Sequence, residues 1–162
     1  MNIVEFNSKA EVVKKKNQAF LKKLKLKPPK NLDELFHDLH DEVFEQINCL
    51  TCANCCKTTS PIFYQQDIER AAKAIRVKPG DFIQKYLYMD EDGDFVLHRS
   101  PCAFLEKDNT CKIYADRPKA CREYPHTNRK KMRQILELTF RNTMVCPAVL
   151  EIVERVKKKL DL

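Results

Sequence analysis

Apolar residues recur at helical spacing along much of the chain. Val13, Phe20, Leu21 and Leu24 form a stripe among lysines, so residues 8–25 read as an amphipathic helix that Pro28 and Pro29 stop. Leu32, Leu35, Phe36, Leu39, Val43 and Ile47 follow at steps of three and four. Asn31, with Glu34 three residues on, has the form of a capping box and predicts the start of that second helix. Ile68, Ala71, Ala72 and Ile75 predict a helix over 65–75, and Pro79 opens a short one. Val149, Ile152, Val153, Val156 and Leu160 mark a last helix after Cys146 and Pro147. Residues 128–143 carry a weaker helical pattern. Phe95-Val96-Leu97 and Cys111-Lys112-Ile113-Tyr114 read as short strands, each following a turn, at 90–94 and 107–109.

The second helix cannot run on into the cysteines that follow it. At about 100° per residue, Cys49, Cys52, Cys55 and Cys56 would fall opposite its apolar face. Thiols this dense should face inward, so the helix is expected to end near Ile47 or Asn48 and residues 49–61 to form an irregular loop.

The charge is uneven. Lys9, Lys14, Lys15, Lys16, Lys22, Lys23, Lys25, Lys27 and Lys30 face only Glu5 and Glu11 within residues 1–30, which accounts for the whole net charge of +7. Residues 1–30 therefore read as a lysine-rich helix or arm, and residues 31–162 as a cysteine-cluster domain. No apolar run of membrane-spanning length occurs, and the N-terminus lacks the apolar core of a secretory signal. A cytoplasmic protein with no membrane partner is the expectation.

That expectation changes how the eight cysteines are read. In a reducing compartment such a pattern favours metal binding over four disulfides. The spacing is Cys49-x2-Cys52-x2-Cys55-Cys56, then Cys102-x8-Cys111-x9-Cys121, then Cys146. Thiolates select soft metals, so zinc and an iron–sulfur cluster both fit. Eight thiols match two four-coordinate zinc sites, a cluster plus a zinc, or one ligand set with spare sulfurs. Neighbouring side chains diverge in extended backbone, so Cys55 and Cys56 are not expected to share one ion. The expected architecture is mainly α with a small β-hairpin, a single irregular domain organised around a cysteine metal centre.

CLTCANCC at 49–56, PCAFLEKDNTCKIYADRPKACREYP at 101–125, Cys146-Pro147 and the intervening helix QQDIERAAKAI together resemble the CxxCxxCC, or YkgJ-type, cysteine-cluster family. The resemblance implies a zinc- or iron-chelating domain and carries no reaction with it. A related cysteine arrangement occurs in flagellin lysine methylases, which adds weight to iron–sulfur, but nothing else in the chain supports methyl transfer.

Arg117 and Arg122 lie within the second motif and are candidates to hold a negatively charged thiolate cage by charge-assisted hydrogen bonds. Tyr114 and Tyr124 read as packing. His37 and His40 sit on the polar face of the second helix, His98 at a strand end, and His126 is the one histidine to test as a spare ligand or proton carrier. No Ser/His/Asp set or paired carboxylates define a hydrolase, and no reaction is assigned. The leading function is a cytosolic metal-binding protein, with a protein partner for metal or electron transfer where the metal is passed on. An iron–sulfur redox protein or enzyme is the first alternative. A nucleic-acid module with structural zinc is the second. It is disfavoured because the lysine arm lacks interleaved arginines and aromatics.

Overall fold

The first helix, α1, runs from Ile3 to Leu26 in a computed structural model that describes residues 2–161. Its start is set by Asn2, whose side-chain oxygen accepts from the Val4 and Glu5 amides while Glu5 reaches back. Phe6, Ala10, Asn17, Phe20, Leu21 and Leu24 are buried, and the lysines occupy the exposed face. Helix α2 (Leu32–Phe44) buries Leu32, Leu35, Phe36, Leu39 and Val43, as its periodicity predicts. The capping box at Asn31 does not form, since its side chain makes no cap bond. The acidic residue used nearby is Asp33, whose carboxylate accepts the amides of Lys131 and Met132 at 2.6 and 2.8 Å.

Residues 49–61, expected to be irregular, contain a 3-10 turn (Cys49–Thr51) and a short helix α3 (Asn54–Thr58). Helix α4 (Gln65–Ala74) buries Ile68, Ala71 and Ala72. Helix α5 (Pro79–Tyr86) begins on its proline and leads into β1 (Leu87–Met89). Strand β1 pairs antiparallel with β2 (Phe95–Leu97), matching Leu87 to Leu97 and Met89 to Phe95. Asp90 organises the turn between them by accepting the amides of Asp92 and Asp94, and Gly93 supplies the left-handed corner. Helices α6 (Lys119–Glu123), α7 (Leu136–Thr143) and α8 (Pro147–Lys159) complete the described chain. The fold is thus mostly α with one small hairpin. None of the described helices is long and apolar enough to cross a membrane.

Two compact units share these elements. The first takes residues 1–49 and 125–162, the second residues 50–124. The first unit has a core of Phe20, Leu24, Phe36, Leu39, Met132, Leu136, Ile152 and Val156, drawn from α1, α2, α7, α8 and the 3-10 turn 132–135. The second has its own core of Phe63, Ile68, Phe82, Leu87, Leu97, Phe104 and Ile113. Within it, the rings of Phe82 and Phe104 stack with centroids 5.7 Å apart and Tyr86 tilts against both. This aromatic floor supports the loops that carry cysteines.

Candidate metal centre

Six cysteines belong to the second unit: Cys52, Cys55, Cys56, Cys102, Cys111 and Cys121. Cys49 and Cys146 belong to the first, Cys49 exposed and Cys146 packed against that unit's core at the start of α8. Cys52, Cys56, Cys102, Cys111 and Cys121 are thiols without a disulfide, each of them half-buried.

Helix α3 places the first group. Ala53 adopts a left-handed conformation (φ 49°), which turns the chain between Cys52 and α3. The Lys57 ammonium donates to the Cys52 carbonyl at 3.0 Å and fastens that turn. On a helix, successive side chains stand about 100° apart rather than on opposite sides as in a strand. Cys55 Sγ and Cys56 Sγ consequently stand 4.0 Å from each other. The divergence expected of extended neighbours does not occur, because the backbone here is helical.

Cys102 and Cys111 are placed by one short loop. The Cys102 amide donates to the Cys56 carbonyl at 2.8 Å, which ties the loop to α3. Leu105 pairs with Cys111 in a single antiparallel bridge, and the Lys112 amide donates to the Phe104 carbonyl at 2.8 Å. Asp108 accepts both the amide and the hydroxyl of Thr110 at the tip. The Asn109 side chain donates to the Leu50 carbonyl at 2.8 Å. The strand expected over 111–114 is only this bridge, since the Tyr114 amide turns back to the Cys111 carbonyl and a 3-10 turn, Tyr114–Asp116, begins. Cys121 comes from α6, which opens after the buried Pro118.

The thiols of Cys102, Cys111 and Cys121 feel burial first and charge on Cys56 after it. Burial pushes the Cys121 thiol up to about 12, and the neighbouring charges of Cys56, Cys102 and Cys111 push the same way. Cys102 is raised by burial and then by Cys56 and Cys111. Cys111 is raised by burial and by Cys56, against relief from Arg117. Cys56 moves the other way, to about 7, because the Cys55 thiol hydrogen-bonds to it and Lys57 adds positive charge, which together outweigh burial. Charge on Cys56 is thus common to the rise of Cys102, Cys111 and Cys121. Among the described residues no group of three or more His, Cys, Asp or Glu side chains stands together closely enough to hold a metal ion.

A family model matches residues 48–144, a span that holds every cysteine except Cys146. The chain belongs to the CxxCxxCC family. That family is described as a "Putative zinc- or iron-chelating domain". No curated protein and no solved structure gives a significant match.

In this CxxCxxCC domain the two candidate arginines are placed differently. The Arg117 guanidinium lies 3.8 Å from the Tyr114 ring centroid and donates to the Tyr114 carbonyl. Its charge offsets a small part of the rise at Cys111 and Cys121. Arg122 is exposed and donates to the Arg117 carbonyl at 3.2 Å. Of the histidines, His37 contacts the Arg129 carbonyl and His40 contacts the Thr127 hydroxyl at 2.7 Å, both within the first unit. Sequence reasoning missed the polar groups that fasten the cysteine loops: Lys57, Asn109, Asp67 and Arg70. Only Asp67 had a sequence signal, sitting at the third helical position of α4 where a carboxylate reaches back to the amide of Tyr64.

Proposed function

We propose that this domain chelates a zinc or iron ion through the thiolates of Cys56, Cys102, Cys111 and Cys121, with Cys52 and Cys55 as adjacent sulfurs. The observation that carries this reading is the tie of the Cys102 loop to the helix that holds Cys55 and Cys56, amide to carbonyl at 2.8 Å, beside half-buried thiols whose ionisation burial and charge on Cys56 disfavour. A cysteine used only for packing behaves as a small apolar residue and gains nothing from charged neighbours. A bound cation reverses that balance, because it holds each sulfur as a thiolate and neutralises the group. The donor set is all sulfur, which suits four-coordinate zinc and equally an iron–sulfur cluster. Arg117 would offset the negative charge that remains on such a cage. The metal would supply cross-linking between loops. In small peptides structural zinc gives about 10–16 kcal/mol of apparent binding free energy. That is comparable with the roughly 5–15 kcal/mol by which whole domains are stable.

Elemental analysis of protein expressed with both metals controlled, alongside anaerobic purification, tests the proposal. A colourless protein carrying zinc and a brown protein that bleaches on reduction are the two supporting results, for zinc and for iron–sulfur respectively. Cys56→Ser, Cys102→Ser, Cys111→Ser and Cys121→Ser should each lower metal content, whereas Cys146→Ala should leave these four ligands loaded. Retention of full metal content by the four serine variants would overturn the assignment.

A further inference from the structure

Asp67 is 2% exposed and serves no ligand role in the reading above. Its carboxylate accepts three hydrogen bonds. Oδ2 takes the Tyr64 amide at 3.1 Å, at the start of its own helix. Oδ1 takes the Arg70 guanidinium at 2.6 Å and the Lys119 amide at 3.1 Å. Lys119 is the first residue of α6, the helix that carries Cys121. The residue before it is Pro118, which has no side-chain acceptor and forms no cap bond. The cap that α6 lacks locally is therefore delivered from α4, across 52 positions of sequence. Arg70 completes the grip, since the same Nη2 that pairs with Asp67 also reaches the Arg117 carbonyl at 3.4 Å.

We propose that Asp67 and Arg70 form a latch around Pro118 that positions Cys121 and Arg117 for the metal centre. The acid holds the amide after the proline, and the base holds the carbonyl before it. With both held, the backbone from 117 to 119 has little freedom to rotate, and the Cys121 sulfur is directed by a fixed helix start. Asp67 is a positioning residue and touches no metal. Carboxylate partners of this kind are costly to lose, since a buried acceptor with three donors leaves those donors unpaired when it is neutralised or turned.

This inference rests on the chelation reading, and two separate measurements keep the two apart. The first needs no metal. In chelated, reduced protein, the rate of thiol labelling at each cysteine is followed by peptide mass spectrometry. Asp67→Asn should raise labelling at Cys121 several-fold while Cys52 keeps its rate. The second is titration with cobalt(II), whose thiolate charge-transfer bands report the number of bound sulfurs. Asp67→Asn should weaken cobalt binding about 10- to 100-fold, the usual range for an outer-shell partner, and shift the bands towards those of Cys121→Ser. Lys119→Pro provides a second variant, because proline is tolerated at a first helical position and removes the donor together with an exposed ion pair to Glu123. It should reproduce the Cys121 labelling increase even where Asp67→Asn fails to fold. Labelling of Cys121 at the wild-type rate in both variants would overturn the latch. Failure of the wild-type protein to bind cobalt would overturn chelation and leave the labelling result to judge the latch alone.

Discussion

His40 shows how a single side chain can set a pH limit on the first unit. Burial lowers its pKa below the ordinary imidazole value of about 6.5, and His37 adds to the effect while Asp41 opposes it. Its Nδ1 meets the Thr127 hydroxyl at 2.7 Å, Thr127 is wholly buried, and its ring rests 4.5 Å from that of Phe44. A depressed histidine stabilises the fold above its unfolded pKa. As pH falls, the unfolded chain takes the proton first, so that contribution fades on going below about 6.5 and through the folded value. The melting temperature of the whole protein should drop between pH 7 and 5, and His40→Gln should flatten that drop. An unchanged pH profile in the variant would place the acid sensitivity elsewhere. At this scale the run of cysteines at 49–56 was legible as a run. Their fasteners were not. Asp67 bonds to Lys119 and Asn109 to Leu50, pairings separated by 52 and 59 positions, which no local pattern encodes.

Among the elements, α2 was the most readable, since every apolar position of its stripe from Leu32 to Val43 is buried. Its start after Asn31 falls where the pattern puts it, and only the side-chain cap fails to form. The amides of Lys131 and Met132, 98 and 99 positions away, take the Asp33 carboxylate instead. Two backbone donors thus depend on one acid at the first turn of α2, where negative charge also complements the helix dipole. Asp33→Ala should destabilise the protein by about 1–3 kcal/mol. Urea denaturation would show this as a lower midpoint at constant slope, and a shift within about 0.5 kcal/mol would mean water replaces the acid. Helix α3 and the bridge at Cys111 were hidden for a different reason. Elements of one or two turns carry too few apolar positions to register a period, and their geometry is fixed by tertiary bonds such as Cys102 amide to Cys56 carbonyl.

For the molecule as a whole, the two hydrophobic cores have different demands on sulfur. The first unit buries a large set of aliphatic and aromatic side chains from α1, α2, α7 and α8. The second has a smaller core, short elements, and half-buried thiols whose ionisation is disfavoured by burial first and by neighbouring sulfur charge after it. Removal of metal by a chelator should therefore loosen the second unit selectively. Hydrogen exchange at the Cys102 and Lys112 amides should quicken by about tenfold or more, equivalent to at least about 1.4 kcal/mol of local opening. The amides of α1 and α8 should keep their protection. Equal acceleration across both cores would count against a metal confined to residues 50–124.

The chain contains only two glycines, yet Ala53, Arg76, Asn109, His126 and Lys131 all sit at positive φ. The corners at Ala53 and Arg76 oppose their residues' own preference, since no short polar side chain eases them as one does at Asn109. The cost is local and recurrent, and it narrows the substitutions these positions can accept. Valine, isoleucine or threonine would be excluded there on backbone grounds alone. Sequence drift at the bends is thus confined to a few residue types, and the turns flanking the sulfurs hold their path by intolerance of change as much as by bonding.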